Sequence, residues 1–588
     1  MEGIHKRKRE KKGYITRLRV VAFFCILFGI LIILRLFILM ALQHGFYSAL
    51  AAGSQEIYSQ LIPERGNVYI QDSRSDVEYP LAINKEEFTV FVDTRDFKDE
   101  DIELVLEGLS EVFEYEEEQK EKIMTALMKE DDPYEIIEKR VDEEAKDTLA
   151  QKDLPGIGFV PQNQRFYPEG RLAAHVIGFV GKDEDGSNIG RYGIEGYWNR
   201  ELAGQVGFLE SAKSLAGKWI PLAGRSLKEA EDGVDVLLTI DRTLQFKACE
   251  RLRAAVEEYQ ASSASLIIMD TKTGAIRTMC SLPDFDPNIY NEVDSIEVFN
   301  NTSIFSPYEP GSIFKPLVMA AALEEGVVTP EKVFHDVGER EADCLKSIKN
   351  ADEKEYGDIT MTGILENSVN TGMVYVTELL GKKKFREYVE KFGFGVVQGI
   401  SLDTEVSGRI DTLEEIKTKD DEIDCYTATA SFGQGISATP LQMVTAFGAL
   451  ANGGLLMKPY IVQEIRNTNG KKEVFEPEEI GRVVSGRAAS LAGAMMVKVV
   501  DNGHAEGAAV PGYYVAGKTG TAQIAEGGVY IEETNHSFVG FAPVDDPKFV
   551  MLIKFEKPQR QYSASTAAPV FGDIAAFILK YYSVPPSR

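Results

Sequence analysis

The sequence contains few of the residues from which metal centres and disulfide frameworks are built. Its 588 residues include five cysteines and six histidines, and neither a C-x-x-C pair nor an H-E-x-x-H pair occurs. We therefore expect no metal ion and no cofactor. The cysteines are scattered and odd in number, which predicts no structural disulfide; Cys280 with Cys344 or with Cys425 is the pairing left open.

The chain also lacks an excess of positive charge, internal repeats and low-complexity tracts. Its formal net charge is -28, whereas a surface that binds nucleic acid is basic, so we expect no nucleic acid partner. The hydrophobic content of 44% and the charged content of 27% are ordinary for globular protein. The length predicts about two to four domains, which leaves ample chain for a catalytic core.

A long hydrophobic run lies near the N-terminus. Basic residues are frequent at 6–19, and the apolar stretch 20–42 that follows is broken only by Arg35. About twenty apolar residues cross a bilayer as a helix, and a basic flank stays cytoplasmic. We therefore predict a cytoplasmic tail (1–19), a retained transmembrane helix (20–42) and a catalytic portion outside the cell membrane. A cleaved signal peptide, with a site at Ala49-Leu50-Ala51, is the alternative, but its apolar region should be only about 7–15 residues long.

Residues 43–228 form a predicted first extracytoplasmic region in which we find no nucleophile–base pair. It contains a strand-like run at 88–92 and a charged stretch at 101–152 whose apolar residues recur at helical spacing. The charge run is typical of a solvated helix face. We therefore predict that this region is a spacer or docking module.

Residues 229–588 form the predicted second region. A strand (234–240), a helix (241–259) and two further strands (265–270 and onward to 279) open it, and a strand (549–555) and a helix (567–582) close it. Strands at both ends with helices between them predict a sheet whose N- and C-terminal strands pair, in an α/β or α+β layer fold.

Three short motifs in this second region carry the chemistry. Each is common alone, but their order along one chain is characteristic of serine enzymes that acylate themselves. The motifs are Ser312-Ile313-Phe314-Lys315, Ser368-Val369-Asn370 and Lys518-Thr519-Gly520.

Ser312 is the predicted nucleophile and Lys315 its base. Pro316 is tolerated only in the first turn of a helix, so a helix should begin close to Ser312 and place Lys315 on the same face. A serine hydroxyl needs a neighbouring base, and Lys315 can act as one only when neutral. Lowering a lysine pKa from about 10.4 to about 7 takes roughly 4–5 kcal/mol, which burial and a second cation such as Lys518 would supply.

The other two motifs supply a proton relay and a substrate cradle. We expect Ser368 to pass a proton between Lys315 and the leaving amine, and Asn370 to orient a substrate peptide bond. Lys518 and Thr519 suit a terminal carboxylate. The segment 513–523 is a predicted strand, and Gly520 lets a substrate backbone approach it closely. The N–H groups of Thr521 and Ser312 together form a predicted oxyanion hole.

Two further stretches are assigned structural roles. A second Lys-Thr-Gly, at 272–274, lies between two predicted strands and precedes Ser312, so we interpret it as a hairpin turn. The loop 433–435 leads into a predicted helix with Thr439 as N-cap, Pro440 in its first turn and Gln442 reaching back to the cap.

These motifs and their surroundings resemble the class B penicillin-binding proteins, which are monofunctional peptidoglycan transpeptidases. The likeness extends from the predicted anchor to the C-terminus. Its segments are YEPGSIFKP (308–316), KTGTAQ (518–523), 270–274 with 284–288, and, in the first region, RGNVY (65–69), RFYP (165–168) and GIE (193–195).

The resemblance implies a domain layout and a reaction. The transpeptidase domain (229–588), of the penicillin-binding and serine β-lactamase type, would follow an elongated α+β pedestal domain (43–228). Ser312 would attack the D-Ala-D-Ala bond of a peptidoglycan stem peptide, a neighbouring stem peptide would resolve the acyl-enzyme, and β-lactams would acylate Ser312 as inhibitors. Ile313 departs from the family's usual threonine without removing a catalytic group.

The resemblance also implies partners and leaves rival functions open. Family members work with a polytopic membrane glycan polymerase and other wall-synthesis proteins, and the compact loops favour a division-type over an elongation-type role. A β-lactam hydrolase or sensor would share the motifs, but the dipeptide Leu-Asn of the class A deacylation segment is absent, and about nineteen N-terminal residues cannot form a signalling domain. A catalytically silent scaffold would not need both lysines.

Overall fold

The computed structural model describes residues 56–588 apart from 62, 97, 99–100, 130–133, 213–225, 343, 415–420 and 528. The predicted tail (1–19) and transmembrane helix (20–42) lie outside the described residues. Within the described part of the chain, no helix is both long and apolar enough to cross a membrane.

Strands outnumber helices among the described residues of the first part of the chain. In order, its elements are β1 (Glu56–Leu61), β2 (Val68–Asp72), β3 (Val77–Val92), α1 (Asp101–Phe113), α2 (Glu117–Leu127), β4 (Glu135–Val141), α3 (Glu143–Gln151), β5 (Ile157–Phe166), α4 (Ala174–Ile177), β6 (Phe179–Lys182), β7 (Asn188–Arg191), α5 (Gly193–Tyr197), α6 (Asn199–Ala203), β8 (Gly207–Ala212), β9 (Ser226–Lys228) and β10 (Asp235–Asp241).

The second part contains most of the helices. In order, its elements are α7 (Arg242–Tyr259), β11 (Ser263–Asp270), β12 (Ile276–Leu282), α8 (Thr302–Phe305), α9 (Lys315–Glu324), β13 (Val333–Asp336), β14 (Glu339–Arg340), β15 (Ile348–Lys349), β16 (Gly357–Thr360), α10 (Met361–Glu366), α11 (Asn370–Leu380), α12 (Lys382–Lys391), α13 (Cys425–Ala430), α14 (Pro440–Ala451), β17 (Leu455–Met457), β18 (Val462–Arg466), β19 (Lys472–Val474), β20 (Glu479–Arg482), α15 (Gly486–Asn502), β21 (Ala516–Glu526), β22 (Val529–Ala542), β23 (Phe549–Glu556) and α16 (Ala567–Tyr581).

A five-stranded antiparallel sheet forms the centre of the second part, in the order β12-β11-β23-β22-β21. Strands β11 and β23, from opposite ends of the region, pair from Ser263↔Glu556 to Asp270↔Phe549, which confirms the predicted pairing. Their near-continuous apolar sequences are typical of strands buried on both faces. Helices α7 and α16 pack on one face, where Phe555 and Phe538 meet their aromatic side chains, and α14 covers the other, where Gly448 approaches Met269.

A second sheet joins both predicted regions. It runs β19-β18-β10-β2-β3-β4, with β5 also paired to β3. Strand β10, which follows the predicted boundary at 229, lies parallel to β2 from the first region. Strands from the two sides of the predicted boundary are thus hydrogen-bonded to each other in one sheet. The boundary at 229 itself stays a prediction.

The charged stretch 101–152 is helical only in part. Helices α1, α2 and α3 lie in it, but β4 interrupts them and pairs antiparallel with β3. The prediction of one helical stretch is wrong here because pairing with β3, which buries Val141, outweighs local helical spacing.

The chain divides into two compact units. One contains the described residues that fall within 1–63 and 205–231, and its strands form an antiparallel sheet in the order β1-β8-β9. The other comprises Glu64–Gly204 and Asp232–Arg588 and contains the two larger sheets.

Two disulfides correct the expectation that none is structural. Cys249 on α7 pairs with Cys280 on β12, with Cα atoms 5.8 Å apart, and Cys344 pairs with Cys425 at the start of α13, with Cα atoms 4.9 Å apart. Neither is a pairing that the sequence left open. The prediction was wrong because distance along the chain does not show which cysteines are close in the fold. Cys249 and Cys280 meet because α7 packs across β12, and Cys344 and Cys425 meet because the loop that contains Cys344 returns to α13.

Candidate active site

Ser312 lies where a short 3₁₀ turn, Gly311–Phe314, continues directly into α9. Pro316 occupies the first turn of α9, which confirms the predicted helix start. Gly311 has a φ of +60° and donates its N–H to the carbonyl of Gly433 at 3.0 Å. A side chain at Gly433 would collide with the backbone of Gly311, so the loop 433–435 packs directly against the nucleophile segment.

Lys315 joins the first motif to the second. It is fully buried, and its Nζ lies 2.5 Å from the backbone oxygen of Ser368, 3.1 Å from Ser368 Oγ and 2.8 Å from Asn370 Oδ1. The structure thus brings together a lysine and a Ser-x-Asn motif that are more than fifty residues apart in the chain.

Burial and the nearby charge of Lys518 hold the pKa of Lys315 well below its usual value. A neutral lysine amine has two hydrogens to donate and one lone pair with which to accept. The Ser368 carbonyl and Asn370 Oδ1 can only accept, so they take the two hydrogens. The lone pair is then left for a hydroxyl proton, which is the arrangement that a general base requires.

Ser368 occupies a strained turn between α10 and α11. Its φ is +57°, a region that non-glycine residues rarely adopt and that is often found at functional sites. The turn is held by the N–H of Val369, which donates to the carbonyl of Ile364 at 2.9 Å. Asn370 is the first residue of α11, and its Nδ2 donates to the carbonyl of Lys349 at 3.1 Å, so both ends of its amide are held.

The third motif lies on β21, the edge strand of the five-stranded sheet. The strand begins at Ala516, three residues later than the segment 513–523 predicts, and its outer edge is free of a strand partner among the described residues. Burial lowers the pKa of Lys518 to about 7. Its Nζ donates to the carbonyl of Thr519 at 3.2 Å and lies 3.5 Å from the Thr519 hydroxyl.

Gly520 and Thr521 fix the distance between this strand and the nucleophile segment. A Cβ atom at Gly520 would lie 3.0 Å from Ile313 Cγ2 and 3.1 Å from the carbonyl oxygen of Pro310. Any larger residue would therefore push β21 away from Ser312. Two hydrogen bonds to Ser563 fix the Thr521 side chain: Thr521 Oγ1 accepts from the Ser563 N–H at 3.2 Å and donates to Ser563 Oγ at 3.2 Å.

The second Lys-Thr-Gly is a turn, as predicted. Gly274 has a φ of +80°, and the Asp270 carboxylate accepts from the N–H groups of Lys272 and Thr273. The capping box of α14 is also confirmed, with Thr439 and Gln442 bonded reciprocally.

Glu309, in the nucleophile segment, makes two contacts that its sequence context does not predict. Glu309 Oε1 accepts from the N–H of Gly435 at 3.0 Å, and Tyr530, near the start of β22, donates its hydroxyl to Glu309 Oε2 at 3.0 Å. His504 is another residue near the site. Burial and the charge of Lys518 both lower the pKa of His504. No local sequence signal marks Tyr530 or His504, because both approach the site through tertiary packing.

Two protein-family models match the chain. Residues 264–576 match the penicillin-binding protein transpeptidase domain, and residues 60–238 match the penicillin-binding protein dimerisation domain. The first model includes all three motifs. The second overlaps the region predicted to be the pedestal.

Known proteins of similar sequence and structure agree with these models. Stage V sporulation protein D of Bacillus subtilis is 34% identical over 96% of this chain and 86% of its own length. Peptidoglycan D,D-transpeptidase FtsI of Escherichia coli K12 is 29% identical over 76% of this chain and 72% of its own. The crystal structure of penicillin-binding protein 3 from Mycobacterium tuberculosis, complexed with aztreonam, superposes with a TM-score of 0.66 at 26% identity, covering 90% of this chain and 98% of that one. The chain therefore belongs to the class B penicillin-binding proteins, which combine a transpeptidase domain with a dimerisation domain.

Proposed function

We propose that this protein is a membrane-anchored peptidoglycan D,D-transpeptidase that uses Ser312 as its nucleophile. The observation that carries the proposal is the placement of Lys315: its amine is buried, is next to Lys518, and contacts both Ser368 and Asn370. A buried lysine with a lowered pKa and a free lone pair is a base suited to a serine nucleophile at neutral pH.

In the donor half-reaction, Ser312 Oγ attacks the carbonyl between the two terminal D-alanines of a stem peptide. The hydroxyl proton passes to the neutral amine of Lys315 as the new C–O bond forms. The N–H groups of Ser312 and Thr521 stabilise the oxyanion. The C–N bond then breaks, and the proton reaches the leaving amine of D-alanine through the Ser368 hydroxyl, which lies 3.1 Å from Lys315 Nζ.

In the acceptor half-reaction, the amine of a neighbouring stem peptide attacks the acyl-enzyme. Its proton returns through Ser368 and Lys315 to the Ser312 oxygen, and an amide cross-link replaces the ester. Lys518 and Thr519 bind the terminal carboxylate of the donor, and the free edge of β21 receives its extended backbone as an added strand. A β-lactam reacts in the same way as the donor: Ser312 Oγ attacks the lactam carbonyl, the ring amide opens, and the product remains as an ester on Ser312.

Incubation with a labelled penicillin tests the nucleophile and separates the rival functions. We expect a stable covalent adduct on the tryptic peptide that contains Ser312, and none in Ser312→Ala. An unchanged adduct in the variant would reject the assignment. Rapid turnover of the penicillin would favour a hydrolase, and a wild-type protein without an adduct would favour a silent scaffold. Release of D-alanine from a synthetic D-Ala-D-Ala donor, with incorporation of an acceptor amine, tests the complete reaction.

The anchor and the partners form a second part of the proposal. The basic segment 6–19 and the apolar run 20–42 support a single-pass protein with its catalytic domain outside the cell membrane. Resistance of the protein to alkaline extraction from membranes, with the first residues intact by mass spectrometry, would support retention. A mature N-terminus near residue 52 would instead identify a cleaved signal peptide.

A polytopic glycan polymerase is the proposed membrane partner, and division is the proposed setting. Arg35 supports such a contact, because an arginine within an apolar span either snorkels to the interface or pairs with another membrane protein. We expect Arg35→Leu to reduce co-purification of the polymerase from membranes, whereas a snorkelling arginine would leave it unchanged. A fluorescent fusion that accumulates at division sites would support the division role; accumulation along the cell cylinder or only in sporulating cells would contradict it.

A further inference from the structure

A third buried lysine lies in the sheet that carries the active site. Among the described residues, the lysines buried below 5% exposure are Lys315, Lys518 and Lys554. The first two belong to the proposed catalytic group. Lys554, on β23, has no part in that mechanism, and a lysine is rarely buried without a specific role.

Lys554 is in register with Gly520. Gly520 pairs with Ser537 on β22, and Ser537 pairs with Lys554 on β23. Residues directly opposite each other in neighbouring strands point to the same face of a sheet. That face is the one on which the nucleophile segment packs, because the Cβ direction of Gly520 points toward Ile313 and Pro310. Lys554 therefore lies beneath the segment that carries Ser312.

The ammonium group of Lys554 meets an aromatic ring from that segment. Its Nζ lies 4.8 Å from the centre of the Tyr308 ring, within the range of a cation–π contact, and 3.5 Å from Glu556 Oε2. Burial lowers the pKa of Lys554, and Glu556 opposes that effect. The hydroxyl of Ser265, directly opposite Lys554 on β11, is buried without a hydrogen-bond partner among the described residues, and so is the hydroxyl of Tyr308.

Tyr308 transmits this contact to the nucleophile. It is four residues before Ser312 and is tied to Ala438 by two backbone hydrogen bonds, of 3.0 and 2.9 Å. The Tyr308 ring is buried, with the Lys554 ammonium group over it. Ser537 lies beside the Tyr308 hydroxyl, and its own hydroxyl donates to the Gly520 carbonyl at 3.5 Å. Because Tyr308 is only four residues from Ser312, a displacement of its ring is expected to move the segment that carries the nucleophile.

We propose that Lys554 is a positioning residue for acylation: its ammonium group holds the Tyr308 ring against the sheet, and the ring in turn fixes Ser312 at the distance from Gly520 and Thr521 that the reaction needs. The inference rests on the proposed function of Ser312. It predicts that loss of the cation slows the chemical step more than it weakens substrate binding, because the carboxylate site at Lys518 is left intact.

Stopped-flow acylation by a fluorescent penicillin, with separate values for the initial binding constant and the maximal acylation rate, tests the proposal. A misplacement of the reacting atoms by about 1 Å can lower a rate by roughly 100-fold. For Lys554→Met, in which the backbone of the segment is kept, we expect a smaller effect: a maximal acylation rate about 10-fold lower, with an unchanged initial binding constant. Lys554→Arg, which keeps a cation over the ring, should remain within about twofold of wild type. Lys548→Met makes the same substitution at an exposed residue just before β23 and should have no effect.

Thermal unfolding separates positioning from stability. Glu556, which pairs with Lys554, is 35% exposed, so it stays solvated when the lysine is replaced. Removing the buried ammonium group also removes its desolvation cost, so Lys554→Met should unfold no earlier than wild type while it acylates more slowly. Wild-type acylation rates in Lys554→Met would overturn the proposal. So would an equal loss of rate and thermal stability in both the Met and the Arg variants, which would indicate packing alone.

Two variants of Tyr308 keep the test decisive if Lys554→Met does not fold. Tyr308→Phe retains the ring face and should acylate like wild type, whereas Tyr308→Leu removes it and should show the slow step. Equal rates in these two variants would overturn the proposal. A wild-type protein that is not acylated at all would instead reject the function of Ser312, so the two failures are distinguishable.

Discussion

Lys315 and Lys518 share one buried site, in which burial and the charge of Lys518 together hold the pKa of Lys315 well below that of a free lysine. The two residues come from a helix start and an edge strand, more than two hundred positions apart. Because the two amines lie close together, the charge of one lowers the pKa of the other, and the two lysines can take different roles. Lys518, with a pKa of about 7, is partly charged at neutral pH and suits a carboxylate. The lowered pKa of Lys315 favours the neutral amine, which can accept a proton.

Removing Lys518 should therefore move the pH dependence of acylation. A base acts in its neutral form, so the rate rises with pH through the pKa of Lys315. In Lys518→Met one of the two causes of the lowered pKa is gone, and the acid limb of the profile should shift to higher pH, with an overall lower rate because the carboxylate contact is lost. Acylation by a labelled penicillin between about pH 5 and 9 would measure this.

The second Lys-Thr-Gly provides the matched control for that experiment. Lys272→Met changes the same residue of the same tripeptide in a hairpin turn, and should leave both the rate and the profile unchanged. If the profile of Lys518→Met differed from wild type only in height, the proposed effect of Lys518 on Lys315 would be wrong.

The Ser368 hydroxyl should be needed for proton transfer and not for folding. Ser368→Ala removes the hydroxyl that lies 3.1 Å from Lys315 Nζ but leaves the backbone carbonyl that also contacts the amine. General acid–base groups contribute about 10²–10⁴-fold, and we expect a loss of about 100-fold in the release of D-alanine from a D-Ala-D-Ala donor. Ser347→Ala, which removes an exposed hydroxyl near Glu339, should retain full activity; a loss of less than about twofold in Ser368→Ala would exclude the relay.

Local rules predicted the parts of this site that are local. Pro316 limits the helix start to the neighbourhood of Ser312, Thr439 and Gln442 form a capping box, and the apolar run of β23 is long enough to be a buried strand. Each follows from backbone sterics or hydrogen-bond capacity within a few residues. The three motifs were likewise recognisable, because each consists of only three or four consecutive residues.

Tertiary contacts decided what the sequence did not predict. Strand β4 formed within a stretch of helical spacing because β3 offered it a partner. Cys249 reaches Cys280 only because α7 packs across β12, and Tyr530 reaches Glu309 only because the hairpin between β21 and β22 returns over the site. Register and packing direction are properties of pairs of elements, so no pattern within one element contains them.

The disulfide between Cys344 and Cys425 should stabilise the part of the domain that positions Asn370. It closes a long loop, with a sequence separation of 81, and a crosslink of this kind is typically worth about 2–4 kcal/mol. We expect Cys344→Ser to lower the free energy of unfolding in guanidinium by about that amount. The double variant Cys344→Ser/Cys425→Ser should be no less stable than the single one, and unreduced peptide mapping should recover the pair in wild type. Two free thiols in the oxidised protein would contradict this prediction.

Glu195 should make stability sensitive to acid. Its carboxylate is fully buried between Arg65 and Arg165, whose nitrogens lie 2.5 and 2.6 Å away. Burial alone would raise its pKa, but the two guanidinium groups outweigh burial and the pKa is lowered. A carboxyl group with a lowered pKa in the folded state adds stability above its unfolded pKa of about 4.3, and that stability is lost as the pH falls through the folded value.

Replacing Glu195 by glutamine should reproduce the acid effect at neutral pH. It leaves two buried cations without a counter-charge, and breaking a buried pair in this way costs about 3–5 kcal/mol. Thermal unfolding at pH 7 should show the loss, and the difference between Glu195→Gln and wild type should shrink below about pH 4 as the wild-type carboxylate itself is protonated. Glu117→Gln breaks an exposed pair with Lys120 and should leave the unfolding temperature close to that of wild type, because solvent screens such a pair. If both variants unfolded at the wild-type temperature, the charge cluster around Glu195 would not contribute to folding, and Arg65 and Arg165 would have to be compensated by solvent.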